Sequence, residues 1–177
     1  MIRLFTLCSA LVLTLLSATM AEAQAKGYAG LLLGMSVPDA DDTSARPMYG
    51  VQGGARLDGE FGLGAFYLTS KKEETVNAVK TDYDYNLYGL EGSFHFEGVA
   101  DGAYIAARIG LAKVDVGTVN YSPMIWGLLF GYDHFLSEKF SLGIEGGFTS
   151  VQGDDNGTNN LDGFTMLNFL VAAKMWF

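Results

Sequence analysis

The strongest constraint in this chain is a period of two. From Met124 onward, Met124, Trp126, Leu128, Phe130 and Tyr132 are large and apolar, and the residues between them are Ile125, Gly127, Leu129, Gly131 and Asp133. Ile105, Ala107, Ile109 and Leu111 alternate in the same way with Tyr104, Ala106, Arg108, Gly110 and Ala112. Leu142, Ile144, Gly146 and Phe148 alternate with Ser141, Gly143, Glu145, Gly147 and Thr149. From Thr165 to Phe177 every second residue is again apolar or small, set against Met166, Asn168, Leu170, Ala172, Lys174 and Trp176. Successive side chains of a strand point to opposite faces, so each segment has one continuously apolar face and one of small residues with sparse charge. Helices do not fit this pattern, and no later segment holds 18 consecutive apolar residues, the minimum expected of a spanning helix.

Turn residues divide the chain after the leader into eight such segments, near 26–37, 48–57, 60–70, 82–96, 103–116, 121–135, 140–151 and 161–177. Asp58-Gly59, Glu97 to Gly102, and Leu136 to Lys139 are compact connectors. Pro38 to Pro47, Lys71 to Thr81, Gly117 to Asn120, and Gln152 to Asn160 are polar connectors on the other side. The two kinds alternate, as an up-and-down meander with a turn end and a loop end requires. Pro38, Pro47 and Pro123 fall at strand ends or in connectors, where a missing N–H breaks no ladder bond. At the first turn the alternation predicts a three-residue loop, Leu57-Asp58-Gly59, with Gly59 left-handed and Arg56 opposite Glu60 on one face.

The fold class follows from which face is covered. The apolar faces carry aromatics near their ends, among them Phe61 and Tyr67, Tyr88 and Phe96, and Trp126 and Tyr132. The two lipid–water interfaces favour that placement. The opposite faces hold many of the 23 glycines, nearly double the usual ~7% share. An eight-stranded barrel has room inside for side chains only, and a lumen of glycines with a few long charged residues fits it. A soluble core would lose too much burial. The expectation is an all-β, eight-stranded antiparallel up-and-down transmembrane β-barrel whose apolar face meets lipid. A soluble secreted carrier barrel is the weaker alternative.

The first residues give the compartment. Arg3, the apolar run Leu4 to Leu16, and Ala21-Glu22-Ala23 read as a secretory signal peptide over 1–23, with Ala23-Gln24-Ala25 as a competing cleavage site. The barrel domain is then 24–177. The only cysteine, Cys8, lies in that leader, so no thiol or disulfide chemistry is expected afterwards. A net charge of −9 argues against a nucleic-acid partner.

Phe177, with Met175 and Phe169 on its face, closes a strand that resembles the C-terminal signature of Gram-negative outer-membrane proteins. In pattern the barrel region resembles the small-barrel class that includes the opacity proteins and the OmpA and OmpX barrels. Its most specific part is Phe130 to Glu145, similar to the penultimate hairpin of opacity-type barrels. The resemblance implies a bacterial outer-membrane location with periplasmic termini. It implies recognition of Phe177, Met175 and Phe169 by the assembly machinery, with periplasmic chaperones as transient partners. It also implies a monomer in contact with outer-membrane lipid and lipopolysaccharide, without a cofactor, acting through its outer loops in adhesion or envelope integrity.

Candidate chemistry is confined to the inward faces. Arg56, Glu60, Glu91, His95, Arg108, Asp133, Glu145 and Lys174 all fall there, and the turn at 97–102 sets Glu91 opposite Arg108. Buried charges must be paired, so Glu91, Arg108, Glu145, Arg56 and Glu60 are expected to form a structural charge cluster rather than a gate or catalytic pair. His95 and His134 are the only histidines, and neither begins the His-x-Ser-Asn motif of the lipid A deacylases that this chain resembles in size. No catalytic, cofactor or metal site is expected. The rivals are a narrow pore, disfavoured by strand number, and a lipid A-modifying enzyme, disfavoured by histidine placement. In the outer connectors Asp39, Asp41, Asp42 and Asp154-Asp155-Asn156-Gly157 lack a calcium-loop register, and Lys71, Lys72 and Lys80 are candidates for lipopolysaccharide phosphates, diluted by Glu73 and Glu74.

Overall fold

A computed structural model describes residues 26–39, 45–57, 59–76, 79–96, 102–117, 119–155 and 160–177. The signal peptide expected over 1–23 lies outside the described residues. Eleven strands appear among the described residues: β1 Lys26–Pro38, β2 Arg46–Leu57, β3 Phe61–Val76, β4 Val79–His95, β5 Ala103–Val116, β6 Val119–Tyr121, β7 Met124–Ser137, β8 Phe140–Val151, β9 Asp154–Asp155, β10 Asn160–Leu161 and β11 Phe164–Trp176. The sheet runs β4-β3-β2-β1-β11-β8-β7-β5-β6, and a further β4–β5 pairing closes it. All ladders are antiparallel. β6 and β7 make one stave. β5 pairs first with β6 and then with β7, and between them the Pro123 carbonyl accepts from the Ala112 N–H at 2.8 Å. The result is a closed eight-stave antiparallel barrel, as the period of two requires. β9 and β10 form a small hairpin in the last outer connector.

Two sequence boundaries shift. Residues 71–76 and 79–81 are paired strand rather than loop. β3 and β4 stay paired from Lys71↔Asp84 out to Val76↔Val79, although β2 leaves β3 beyond Tyr49↔Thr69 and β5 meets β4 only from Tyr83↔Val116. A two-stranded ribbon therefore stands above the rim. Beyond the rim a strand closes no core and needs no apolar face, so Lys and Glu are tolerated there in extended backbone. The first turn is also displaced by one residue. Leu57 pairs with Phe61 and Arg56 with Gly62, and Gly59 has φ +79° inside the loop. That sign of φ suits glycine, which has no Cβ to clash.

The outward face is the apolar one. Leu33, Ile109, Leu128, Phe130, Ile144, Phe169 and Met175 are all exposed, and Phe177 is the most exposed of the large apolar residues at 74%. The interior has two storeys. Toward the loop end Leu32, Met48, Phe66, Leu68, Leu87, Val114, Ile125 and Met166 pack into one buried apolar cluster, with Leu87 fully covered. Toward the turn end Glu91, Arg108, Asp133, Glu145 and Lys174 are buried together. The lumen expected from sequence was lined by many glycines and a few long charged residues. The apolar outer storey differs because the inward positions of β3, β4 and β5 at that height are Phe66, Leu68, Leu87, Ala112 and Val114 rather than glycine. Inward glycines instead permit curvature. A Cβ on Gly89 or Gly110 would run into the facing strand's backbone on the concave side of this narrow barrel.

Candidate functional site

The buried charges form one chain across the lumen. Arg108 Nε donates to Glu91 Oε2 at 2.7 Å, and Arg108 Nη2 donates to Glu145 Oε2 at 2.9 Å. Lys174 Nζ stands 3.7 Å from Glu145 Oε1 and donates to Asp133 Oδ2 at 2.9 Å. Signs alternate from Glu91 to Arg108, Glu145, Lys174 and Asp133, on β4, β5, β8, β11 and β7. Each cation lies between two carboxylates, which offsets the desolvation that burial imposes on all five groups. Glu91 and Arg108 are cross-strand neighbours by register. Glu145 sits opposite Gly131 on one side and Leu170 on the other, and reaches Arg108 across the interior.

Neutral groups complete the chain. The Tyr104 hydroxyl donates to Glu145 Oε1 at 2.7 Å and accepts from Lys174 Nζ at 3.0 Å. Gln52 Nε2 donates to the same Glu145 oxygen at 3.0 Å. Lys174 lies 4.5 Å from the Tyr104 ring centre and 5.6 Å from that of Tyr28, and the Arg108 guanidinium stacks 4.9 Å over Phe66. Rings on these cations replace part of the lost hydration. Gly131 makes the arrangement possible, because a Cβ there would overlap the Tyr104 ring.

The expected cluster is thus brought together only in part. Glu91, Arg108 and Glu145 meet directly. Arg56 sits half-buried at the turn end, with its Nε donating to the Gly59 carbonyl. Glu60 does not face the lumen. It is exposed in the first turn, where its carbonyl accepts from the His95 N–H at 2.6 Å. The one-residue displacement of the turn moves it out of the inward row. Asp133 and Lys174 were legible as inward residues. The partnership of Tyr104 and Gln52 was not, because contacts across a lumen leave no mark in nearest-strand register.

His95 hydrogen-bonds Ser93 Oγ at 3.1 Å and stacks on Tyr104 with ring centres 5.0 Å apart. His134 is exposed. A Ser–His pair alone lacks the orienting acid that activates a serine, and among the described residues no carboxylate bonds the His95 ring. Described His, Cys, Asp and Glu residues form no group of three that could hold a metal ion.

The two ends differ in their ties. At the turn end the Phe177 carbonyl accepts from Gly27 N–H and its N–H donates to the Gly27 carbonyl, both at 2.9 Å, while Trp176 Nε1 donates to Ser141 Oγ at 2.9 Å. The last strand is therefore locked into the closing seam. At the loop end Lys71 Nζ donates to Asp84 Oδ2 at 3.0 Å, a bond that raises the Lys71 ammonium above its usual range. The guanidinium of Arg46 stacks between Tyr83 and Tyr85, 5.1 and 5.0 Å from their ring centres. Asp154 Oδ2 accepts from Ser122 N–H at 2.7 Å and ties the last outer connector to the β6–β7 break.

With this geometry the comparisons can be read. Residues 7–174 match the model of a family described as outer membrane protein beta-barrel domain. Neisserial surface protein A is similar in fold at TM-score 0.65 and 14% identity, over 86% of this chain and 97% of that one. The Yersinia pestis attachment invasion locus protein Ail, solved with the heparin analogue sucrose octasulfate, is similar at TM-score 0.56 and 10% identity, over 88% and 99%. No curated protein matches.

Proposed function

The chain belongs to the outer membrane protein beta-barrel domain family, and from that premise we propose that it is a non-enzymatic integral outer-membrane protein with a structural or surface-interaction role. The observation that carries this reading is the filled lumen. An apolar cluster closes the outer storey and an alternating charge chain closes the inner one. Eight strands leave interior space for side chains alone. What remains accessible from outside is the loop end, with the β3–β4 ribbon and the β9–β10 hairpin.

Residues 1–23 act as the export signal. Phe177, Met175 and Phe169 serve as the assembly signal, and the termini are periplasmic. The chain works as a monomer in lipid and lipopolysaccharide. In the outer connectors Asp39, Asp41, Asp42, Glu73, Glu74, Asp154 and Asp155 outnumber Arg46, Lys71, Lys72 and Lys80. A basic surface partner fits this balance better than a sulfated polyanion of the kind seen with Ail. The test is retention of the purified barrel on immobilised basic and sulfated polymers, alongside a variant with 71–81 and 152–160 trimmed. Salt-sensitive binding to the basic polymer that trimming abolishes is the expected result. Equal binding by the trimmed barrel contradicts a role through the loops.

A further inference from the structure

The outward band is not evenly filled. Along one hydrogen-bonded row Leu63, Gly92, Ala107 and Leu128 lie side by side, so two bulky residues flank a hydrogen and a methyl. The adjacent row toward the turn end reads Phe61, Phe94, Ile105, Phe130 and then Gly146. Between them runs a groove of about 880 Å³, bounded by Phe61, Phe94, Leu128 and Phe130. A second groove of about 560 Å³ lies beyond Phe130 and shares Gly146 with the first. Phe61 and Phe94 meet edge to face with centres 5.3 Å apart, which stiffens the wall at the turn end.

Gly92 and Gly146, which face outward in the groove, differ from the inward glycines of the strands. A Cβ on Gly34, Gly50, Gly54, Gly89 or Gly110 would strike the neighbouring strand's backbone. A Cβ on Gly92 would meet nothing within 4 Å, and one on Gly146 only the Phe169 ring at 3.9 Å. Neither is required by the barrel's own packing. Glycine inside a strand weakens it, and a strand glycine often marks close approach by something outside the strand.

From this we infer that the groove over Gly92, Ala107 and Gly146 is a seat for one acyl chain of a membrane phospholipid, held more tightly than the surrounding lipid. The inference rests on the membrane reading above. The groove is continuous with the lipid-facing band, so lipid is the occupant already in contact with its edges. Its walls are hydrocarbon and aromatic, and behind it Ser93 Oγ and His95 Nε2 are hydrogen-bonded to each other. A flexible chain can follow a trough that runs diagonally from the turn end toward mid-band. It gains dispersion contacts there that a neighbouring lipid on the bulkier band cannot make.

The experiment reconstitutes the barrel in phosphatidylethanolamine–phosphatidylglycerol vesicles, extracts it in mild detergent and counts retained phospholipid by native mass spectrometry. Gly92→Leu with Ala107→Leu fills the groove, Gly92→Ala fills it in part, and Ala173→Leu repeats the alanine-to-leucine change on another part of the band. Heat-modifiable migration of every variant in those vesicles shows separately whether it folds in a membrane. One retained phospholipid is expected on the parent and on Ala173→Leu, with at least about tenfold weaker retention in the double variant and an intermediate loss in Gly92→Ala. Equal retention by all folded variants, or none by the parent, overturns the seat. So does a parent that is dimeric after extraction while the double variant is monomeric, because a second copy would then fill the groove.

Discussion

The two storeys of the lumen reach the same end, a filled interior, by opposite chemistry. The outer storey is mainly hydrocarbon, with the buried Arg46 stacked on Tyr83 and Tyr85 and Asn168 bonded to Thr149 at its edges. Leu32, Leu68, Leu87, Val114 and Met166 need only volume and tolerate exchange among residues of similar size. In the inner storey Glu91, Arg108, Glu145, Lys174 and Asp133 need specific partners at specific distances. Hydrocarbon packing degrades gradually when an atom is lost. A charge chain fails abruptly, because each removal strands a neighbour. The contrast also places the two closures, with greasy packing beneath the loops and ion pairs toward the turns.

The comparison breaks first at Arg108. Arg108→Met leaves Glu91 and Glu145 buried without their shared cation and should cost about 3–5 kcal/mol in urea unfolding from detergent micelles, less if water enters. In the outer storey Leu87→Ala should cost about 2–5 kcal/mol by the same measurement, according to how far Leu68 and Val114 relax into the space. If Arg108→Met proved the milder change, the inner storey would be wet rather than packed. The outward band has a third sensitivity. Leu128→Arg, mid-band on β7, should cost about 2–4 kcal/mol in lipid. A chain that folds in buffer without detergent would contradict the orientation of both faces. The smallest effect is expected at the turn end of the β8–β11 ladder, where Trp176→Phe removes one hydrogen bond to Ser141 and should cost about 1 kcal/mol.

Much of this was legible in the sequence, and the limits have physical causes. Period two fixed the face of nearly every residue from Ala103 to Trp176, because a buried and a lipid-facing side leave opposite signatures. The ribbon formed by 71–76 and 79–81 was read as a loop, since Lys71, Lys72, Glu73 and Glu74 show no apolar alternation. Glu60 was placed inward because Gly59 fits two positions of a three-residue loop, and a shift of one residue exchanges faces. The pairing of Glu91 with Arg108 follows from counting across one turn. The links from Glu145 to Gln52 and Tyr104 span the lumen between strands that are not neighbours, and only the closed barrel brings them together. Gly92 and Gly131 look alike in sequence. One faces an open groove and the other a tyrosine ring.

The most direct measurement is a double-mutant cycle on Glu91→Gln and Arg108→Met, followed by urea unfolding in micelles. A structural charge chain predicts that each single change is costly and that the double recovers part of the loss, with a coupling energy of roughly 1–3 kcal/mol. Recovery stays incomplete because Glu145 keeps only Lys174 as its cation. Additive effects with no coupling would show that the two charges do not depend on each other, and would contradict a lumen held shut by its ion pairs.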